Sequence, residues 1–517
     1  MAKVIFITLC DKGALGVRYI SSLLKEKGHK TSIVYFKEYN QTKKKDVERD
    51  LIYTYKNLKQ VWHEGISDEG EDMIFAYPPK VTKIELDLLN ALIKEEKPDI
   101  IGISLSTSYI PIADIITTRI KKEFQGLILW GGAGPSTNPE QMIAFCDVLA
   151  IGEAEYAIVE LVDKIEKGED YYHINNLWVK NNNSIVKNQI NSLITKLDAL
   201  PFPDFSFENK FLISNNRLIK NCRDINNFEG MYTIMTARGC PYSCSYCVND
   251  YYRKLYKGET YVRRRSVSNV ITELLEAKQK LNITYVTFYD EVFTFDKKWV
   301  KEFSEQYAQK INLPFWCNVH PILIDEEIVM QLKNAGVESV TLGIQSGSEQ
   351  IVKNFYKRDV PNTTIIRAAE LLHKHRVEYY VDIITESLFE TEEDCKKTLG
   401  LLLALPRPFT IATLSKLSLF ENTYIVELAK KHKLVKLDKS LFNFYNKLYL
   451  LTTFNYIPKK LIHQFSQSTY LKEHPQKLNL LFILHKQYNQ TKNKIKKMIP
   501  QDIWVRLRKL IKISPWL

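Results

Sequence analysis

The sequence predicts an α/β protein: an N-terminal doubly wound parallel (Rossmann-like) sheet, then a partial (β/α)6 TIM-like barrel, then a mainly helical C-terminal region. Three observations carry that expectation. Short apolar runs of strand length alternate with amphipathic runs of helix length over 1–168, and again over 226–425. A stretch rich in Asn, 169–225, with prolines at 201 and 203, interrupts the alternation. From 426 to 517 the strand pattern stops and basic residues take over. A chain of 517 residues is also too long for one ordinary core.

Each element follows from its residues. KVIFITL (3–9) is an unbroken apolar run, the mark of a buried strand, and VRYISSLLKEKG (17–28) is an amphipathic helix ending on Gly28, a natural C-cap. TSIVYF (31–36) is the second strand, followed by a polar insertion to about 82 and the helix KIELDLLNALIKEEK (83–97). IIGISLS (100–106), GLILWGG (126–132) and VLAIG (148–152) complete five strands, and EYAIVELVDKIEKG (155–168) closes as a helix. LWVKNNNSIVKNQI (177–190) predicts a hairpin around an Asn-rich turn, and LDALPFPDF (197–205) an extended linker. Six further strands follow: YTIMTA (232–237), YVTFYDE (285–291), FWCNVH (315–320), SVTLGIQS (339–346), YYVDIITE (379–386) and TIATLSKLSLF (410–420). Helical segments such as 267–281 and 325–336 lie between them. In such a barrel the chemistry sits at the C-terminal ends of the strands.

Composition is globular, 45% hydrophobic and 26% charged. The longest apolar run, near 399–405, is far short of the ~20 residues a membrane span needs. MAKVIFITLC lacks a small-residue cleavage site, so a cytoplasmic protein is expected, in which clustered cysteines stay reduced. The net charge of +12 suits nucleic acid, an anionic membrane or anionic cofactors, and by itself does not choose among them.

The most informative stretch is TARGCPYSCSYCVND (236–250), where Cys240, Cys244 and Cys247 are spaced C-x3-C-x2-C in a chain with eight cysteines. Inert buried cysteines favour apolar neighbours, whereas this run is polar and loop-like. Structural zinc takes four protein ligands, usually in C-x2-C pairs, and Cys222 stands alone 18 residues upstream. Three thiolates suit a 4Fe–4S cluster with one iron left open to a small molecule.

With Tyr246 just before the last cysteine, the motif resembles that of the radical S-adenosylmethionine (SAM) superfamily. In that family the open iron binds the amino and carboxylate groups of SAM. An external one-electron reductant feeds the cluster, and SAM is cleaved to a hydrogen-abstracting radical. The resemblance extends to FYDEVFTFD (288–296), to VRRRSVSNVITEL (262–274) and to GIQSGS (343–348). It implies SAM contacts from Tyr246, Asp290, Gln345 and Ser346. Each has a plainer reading beside it: Asp290 and Glu291 as a helix cap or surface acids, Ser346 as a turn residue, Tyr246 as packing.

The preceding α/β region resembles the cobalamin-binding domain found ahead of some radical SAM barrels. LCDKGALGVRYISSLLKEKGH fits its first βα unit, WGGAGPSTNPE (130–140) its fourth-strand Gly-Gly turn, and CDVLAIGEAEYAIVEL (146–161) its fifth. The likeness implies cobalamin contacts from Asp11, Gly13, Gly16, Ser104, Gly131, Gly132, Gly152 and Glu153. Relatives that ligate cobalt through histidine carry D-x-H-x-x-G, but here Gly13 stands at the histidine position, so a cofactor without a histidine ligand is expected. A domain that kept the fold and lost the cofactor is the competing reading. ITESLFET (384–391) and FENT (420–423) also depart from the turns usual after strands five and six, on the substrate side.

The implied activity is cobalamin-dependent radical SAM chemistry, foremost methyl transfer to an unactivated centre of a small-molecule or lipid-linked substrate. An oxidative cyclisation or another non-methylating radical reaction is the alternative, and a non-catalytic cobalamin or SAM sensor the alternative from another class. Methylthiotransferases carry three more cluster cysteines in this N-terminal region, where only Cys10 and Cys146 occur. No RNA-binding module is recognisable, so no nucleic acid partner is expected. Residues 486–512 hold nine Lys or Arg against one acid, Asp502, and IWVRLRKLIKI (503–513) has an apolar and a basic face. Peripheral membrane contact through 486–517 is therefore an expectation, with a helix docked on the barrel as the plainer one.

Overall fold

In the computed structural model the described residues are 1–38, 80–221, 230–432, 434 and 439–498, apart from Lys12 and Asn183. Between 39 and 79 only short strands are described. The five expected strands, Lys3–Leu9, Lys30–Phe36, Ile100–Ser104, Leu127–Gly131 and Val148–Ala150, pair in parallel. Lys3–Leu9 lies between Lys30–Phe36 and Ile100–Ser104, so the winding direction reverses beside it. That reversal opens a crevice at the carboxyl ends of these strands, the usual ligand site of an open α/β sheet. Lys3–Leu9 is buried along almost its whole length because helices cover both faces.

The stretch 169–225 is more than a linker. The expected hairpin forms as Leu177–Asn181 and Ser184–Lys187 and joins the sheet antiparallel to Val148–Ala150. A second hairpin, Lys210–Ser214 with Arg217–Lys220, pairs at the opposite edge against Lys30–Phe36. The sheet of the first α/β region thus takes in strands as far as Lys220 and has nine in all. The second hairpin turns on Asn215 and Asn216, both at positive φ, which asparagine tolerates better than most residues. Between the hairpins, Asp204 pins the chain to the domain. Its Oδ2 accepts from Ser21, Lys25 and Lys210, each at 2.7 Å.

The barrel strands are Met231–Ile234, Tyr285–Phe288, Phe315–Val319, Val337–Gln345, Glu378–Thr385 and Thr410–Lys416, all parallel. Phe288, Phe293, Phe303, Tyr307 and Phe315 fill the space between the first strands and their helices. The expected polar insertion supplies three strands here. His63–Ile66 pairs antiparallel with the sixth barrel strand, Ser415 opposite Gly65, and Asp72–Phe75 and Thr42–Lys43 follow outward. Helix Lys439–Leu451 packs into the barrel core, where Asn446 accepts from Thr385 at 2.6 Å. Among the described residues no helix is long and apolar enough to cross a membrane.

Charged groups clasp the two domains. Arg263 donates twice to Glu153, both at 2.8 Å, and Arg238 reaches Glu155 at 2.6 Å. Tyr251 donates to the Ser136 carbonyl at 2.6 Å, and Tyr256 accepts from the Glu153 amide at 2.7 Å. Gly152, at φ 69°, is required for that last contact, because a Cβ there would sit 2.0 Å from the Tyr256 hydroxyl.

Candidate active site

The cysteine loop leaves the first barrel strand and is fixed at both ends. Ala237–Arg238 pairs with Arg263–Arg264, and Gly239, at φ 84°, lets the chain pass the Tyr261 carbonyl, which a Cβ would meet at 2.3 Å. Cys247 then caps helix Val248–Leu255, whose positive end favours negative charge on the sulfur. Further along the loop, Arg253 holds the carbonyl of Cys240, and the Ser245 amide donates to the Tyr356 carbonyl at 3.0 Å. Burial pushes the thiols of Cys240 and Cys247 up to about 11 and about 12, so a metal must displace their protons. Among the described residues the ligand atoms that meet within 4.8 Å are those of His29, Asp163 and Glu166. Three cysteine thiolates on one loop suit a 4Fe–4S cluster, which leaves one iron open, whereas structural zinc takes four protein ligands.

At the end of the second barrel strand the acidic pair divides. Asp290 is 1% exposed, and its carboxylate accepts from the Thr236 and Ala237 amides, both at 2.7 Å, and from the Thr236 hydroxyl at 2.6 Å. Its role is to hold the start of the cysteine loop, which corrects the expectation of a SAM contact. Glu291 instead has an exposed side chain beside Cys240 and Cys247, with Asn249 as its hydrogen-bonding neighbour. Ser346 also turns away from the site. Its hydroxyl donates to the buried Glu390 at 2.7 Å, because the strand's alternation sends it into the helix layer. Gln345 stays at the strand end, in a bulge at φ 73°, where its side chain lies over Gly343. Tyr246 packs edge-on against Tyr356, with ring centroids 5.3 Å apart.

Two residues not foreseen from sequence complete this end of the barrel. Arg358 donates to the Gly343 carbonyl at 2.8 Å, and its buried Nε has no protein partner. His320 follows the third strand, stacks on Tyr242 of the cysteine loop with centroids 3.9 Å apart, and has neither ring nitrogen bonded. Burial, then the Arg358 charge, push the His320 pKa down to about 2, so the imidazole is neutral. Buried, unfilled nitrogens beside three thiols and one open carboxylate suit a small polar ligand.

The expected cobalamin residues line two cavities. Gly16, Ser104, Gly131, Gly132, Gly152 and Glu153 surround a slot of about 170 Å3 at the crevice of the first sheet. Gly132, at φ 107°, passes the Leu105 carbonyl where a Cβ would meet it at 2.6 Å. Glu153 is a correction in part: it borders the slot, but its carboxylate is bound by Arg263, which with Arg238 holds its pKa down against the upward push of burial. Asp11 and Gly13 belong to the second cavity, of about 820 Å3, with Cys10, Ala14 and Leu15 on the same side. Its other side is the inward face of the barrel, including Thr233, Thr287, Tyr289, Trp316, Thr341 and Tyr380. Cys10 and Ala14 both adopt positive φ, a strain that tends to collect at ligand loops. No histidine lines either cavity among the described residues.

Residues 234–402 match the radical SAM superfamily, and residues 69–162 match the B12 binding domain. The chain is 26% identical over 332 residues to an uncharacterized methyltransferase of Pyrococcus horikoshii, covering 62% of this chain and 68% of that one. It is 25% identical over 317 residues to the anaerobic magnesium-protoporphyrin IX monomethyl ester cyclase of Rubrivivax gelatinosus, covering 58% and 53%. The chain thus spans about two thirds of the first of these relatives and about half of the second. In fold it resembles the radical SAM methyltransferase TsrM of Kitasatospora setae with cobalamin and a 4Fe–4S cluster bound. The TM-score is 0.61 at 16% identity, over 83% of this chain and 75% of that one. The radical SAM domain implies a 4Fe–4S cluster and SAM, and the B12 binding domain implies cobalamin. The three-cysteine loop suits the cluster, and the large cavity together with the glycine-lined crevice suits cobalamin, and the chain belongs to the radical SAM superfamily, among the enzymes that carry a B12-binding domain ahead of the barrel.

Proposed function

We propose that this protein is a cobalamin-dependent methyltransferase that acts on an unactivated centre of a small-molecule or lipid-linked substrate. The observation that carries the reading is the shared cavity: Cys10, Asp11, Gly13, Ala14 and Leu15 of the first domain and the barrel's inward face line one space of about 820 Å3. Bound there, cobalamin would supply the methyl group, and cluster and SAM the radical, driven by an external one-electron reductant. Cys240, Cys244 and Cys247 would hold the cluster. Glu291 would accept from the SAM ammonium, Arg358 would donate to its other polar groups, and His320 would donate to or accept from them. Gln345 would take the ribose side.

The narrow slot admits only a flat side arm of so large a cofactor, and its glycines keep it open. The main cavity's aromatic and hydroxyl lining, with Trp316 donating to Thr341 at 2.9 Å, favours a substrate with an uncharged, flat or apolar body.

Anaerobic reconstitution followed by mass spectrometry of extracts from cells with and without the protein tests the reading. A product carrying one added CH2 is expected. A product that has lost two hydrogens would instead establish the oxidative reading that the cyclase relative favours. The cofactor's mode is tested separately by EPR of the Co(II) form, which should show no nitrogen superhyperfine splitting, since Gly13 replaces the histidine. A nitrogen triplet would overturn that part.

A further inference from the structure

The C-terminal helices carry a charge and an apolar face that the catalytic architecture does not use. Of 72 basic and 60 acidic residues in the chain, fifteen basic and two acidic ones fall in 439–517. That segment bears +13, and the 438 residues before it bear −1. The protein's entire positive charge is therefore a property of one region, not of the two domains that precede it.

The same region exposes aliphatic surface. In helix Asn479–Met498, Phe482 and His485 pack on Phe454, with ring centroids at 5.4 and 3.7 Å. At about 100° per residue, Leu480 and Leu484 point the opposite way, flanked by Ile483 and Tyr488. They are 61%, 48%, 53% and 47% exposed, while Lys460, Lys477 and Lys486 are exposed in the same set of helices. Nucleic acid would need the charge but not a stripe of leucine and isoleucine. A protein partner would need a complementary acidic and apolar face of fixed shape. An anionic lipid surface uses both features at once and asks for no fixed shape. The helix cannot span a bilayer, so it would lie in the interface.

We propose that this face, centred on Leu480 and Leu484, docks the protein peripherally on an anionic membrane. The docking stands whichever reaction the barrel performs. Flotation of the full chain with vesicles of phosphatidylglycerol and phosphatidylcholine, against phosphatidylcholine alone, tests it. The anionic vesicles should bind at least about tenfold more protein at low salt, and added salt should weaken the binding. Leu480→Gln/Leu484→Gln should reduce binding about tenfold with unchanged circular dichroism and SAM cleavage, and so should the milder Lys477→Gln/Lys486→Gln. Absence of flotation, equal binding to both vesicle types, or flotation of both variants at the wild-type level would overturn the proposal. So would displacement from the vesicles by bulk RNA together with indifference to the leucine pair.

Discussion

Replacing Cys244 with alanine should remove the cluster outright. Anaerobically reconstituted wild-type protein is expected to hold about four iron per chain, and the variant close to none. Cys244 is buried in a loop held by the Tyr356 carbonyl, the Arg253 guanidinium and the Asp290 carboxylate. The remaining two thiols cannot shift to make good the loss of the third. Deoxyadenosine production from SAM should fall to background. Production at the wild-type level in the variant would show that these cysteines do not hold the redox centre. Circular dichroism should change little, since an alanine fills the space of a thiol.

The second large effect is expected at the clasp between the domains. Arg263→Ala leaves Glu153, 17% exposed, in its buried place without its bidentate partner. Breaking such a pair costs about 3 kcal/mol, at the lower end of the range because Arg238 remains 3.4 Å away. Urea unfolding should detect the loss, and Glu153→Leu/Arg263→Met should recover part of it by removing both charges. The sign with pH follows from the lowered pKa of Glu153. The folded state binds this proton less readily than the unfolded state. The clasp therefore contributes fully above the unfolded value of about 4.3 and is lost as pH falls through the lower folded value. A variant as stable as wild type at neutral pH would mean that the domains are joined chiefly by other contacts.

How far the sequence speaks for itself differs by element. The parallel strands are legible because a strand covered on both faces must be apolar throughout, as Lys3–Leu9 and Val148–Ala150 are. The hairpin at Lys210–Lys220 carries a readable Asn-Asn turn that the flanking prolines overshadow. The strands between 42 and 75 carry no such signal, since pairing with Thr410–Lys416 is set by a neighbour more than 300 residues away. Cys240, Cys244 and Cys247 are legible because a cluster fixes their spacing within one loop. Arg358 and His320 are not, because they meet the loop only once six strands align. Asp290 and Glu291 show the finest limit. Adjacent residues at a strand end face opposite ways, so one position of register separates a structural carboxylate from an open one.

The three strands that the first domain lends to the barrel have a consequence for how the chain matures. Thr410–Lys416 would otherwise end the sheet with a row of unpaired amides and carbonyls, a template for pairing with another molecule. The segment that covers it leaves the ribosome long before that strand exists. During synthesis it must wait, and the barrel cannot seal its rim until the N-terminal part is in position. Cutting the protein after the first domain would therefore leave Thr410–Lys416 as an open edge, prone to pair with another molecule, even though the barrel keeps a core of its own.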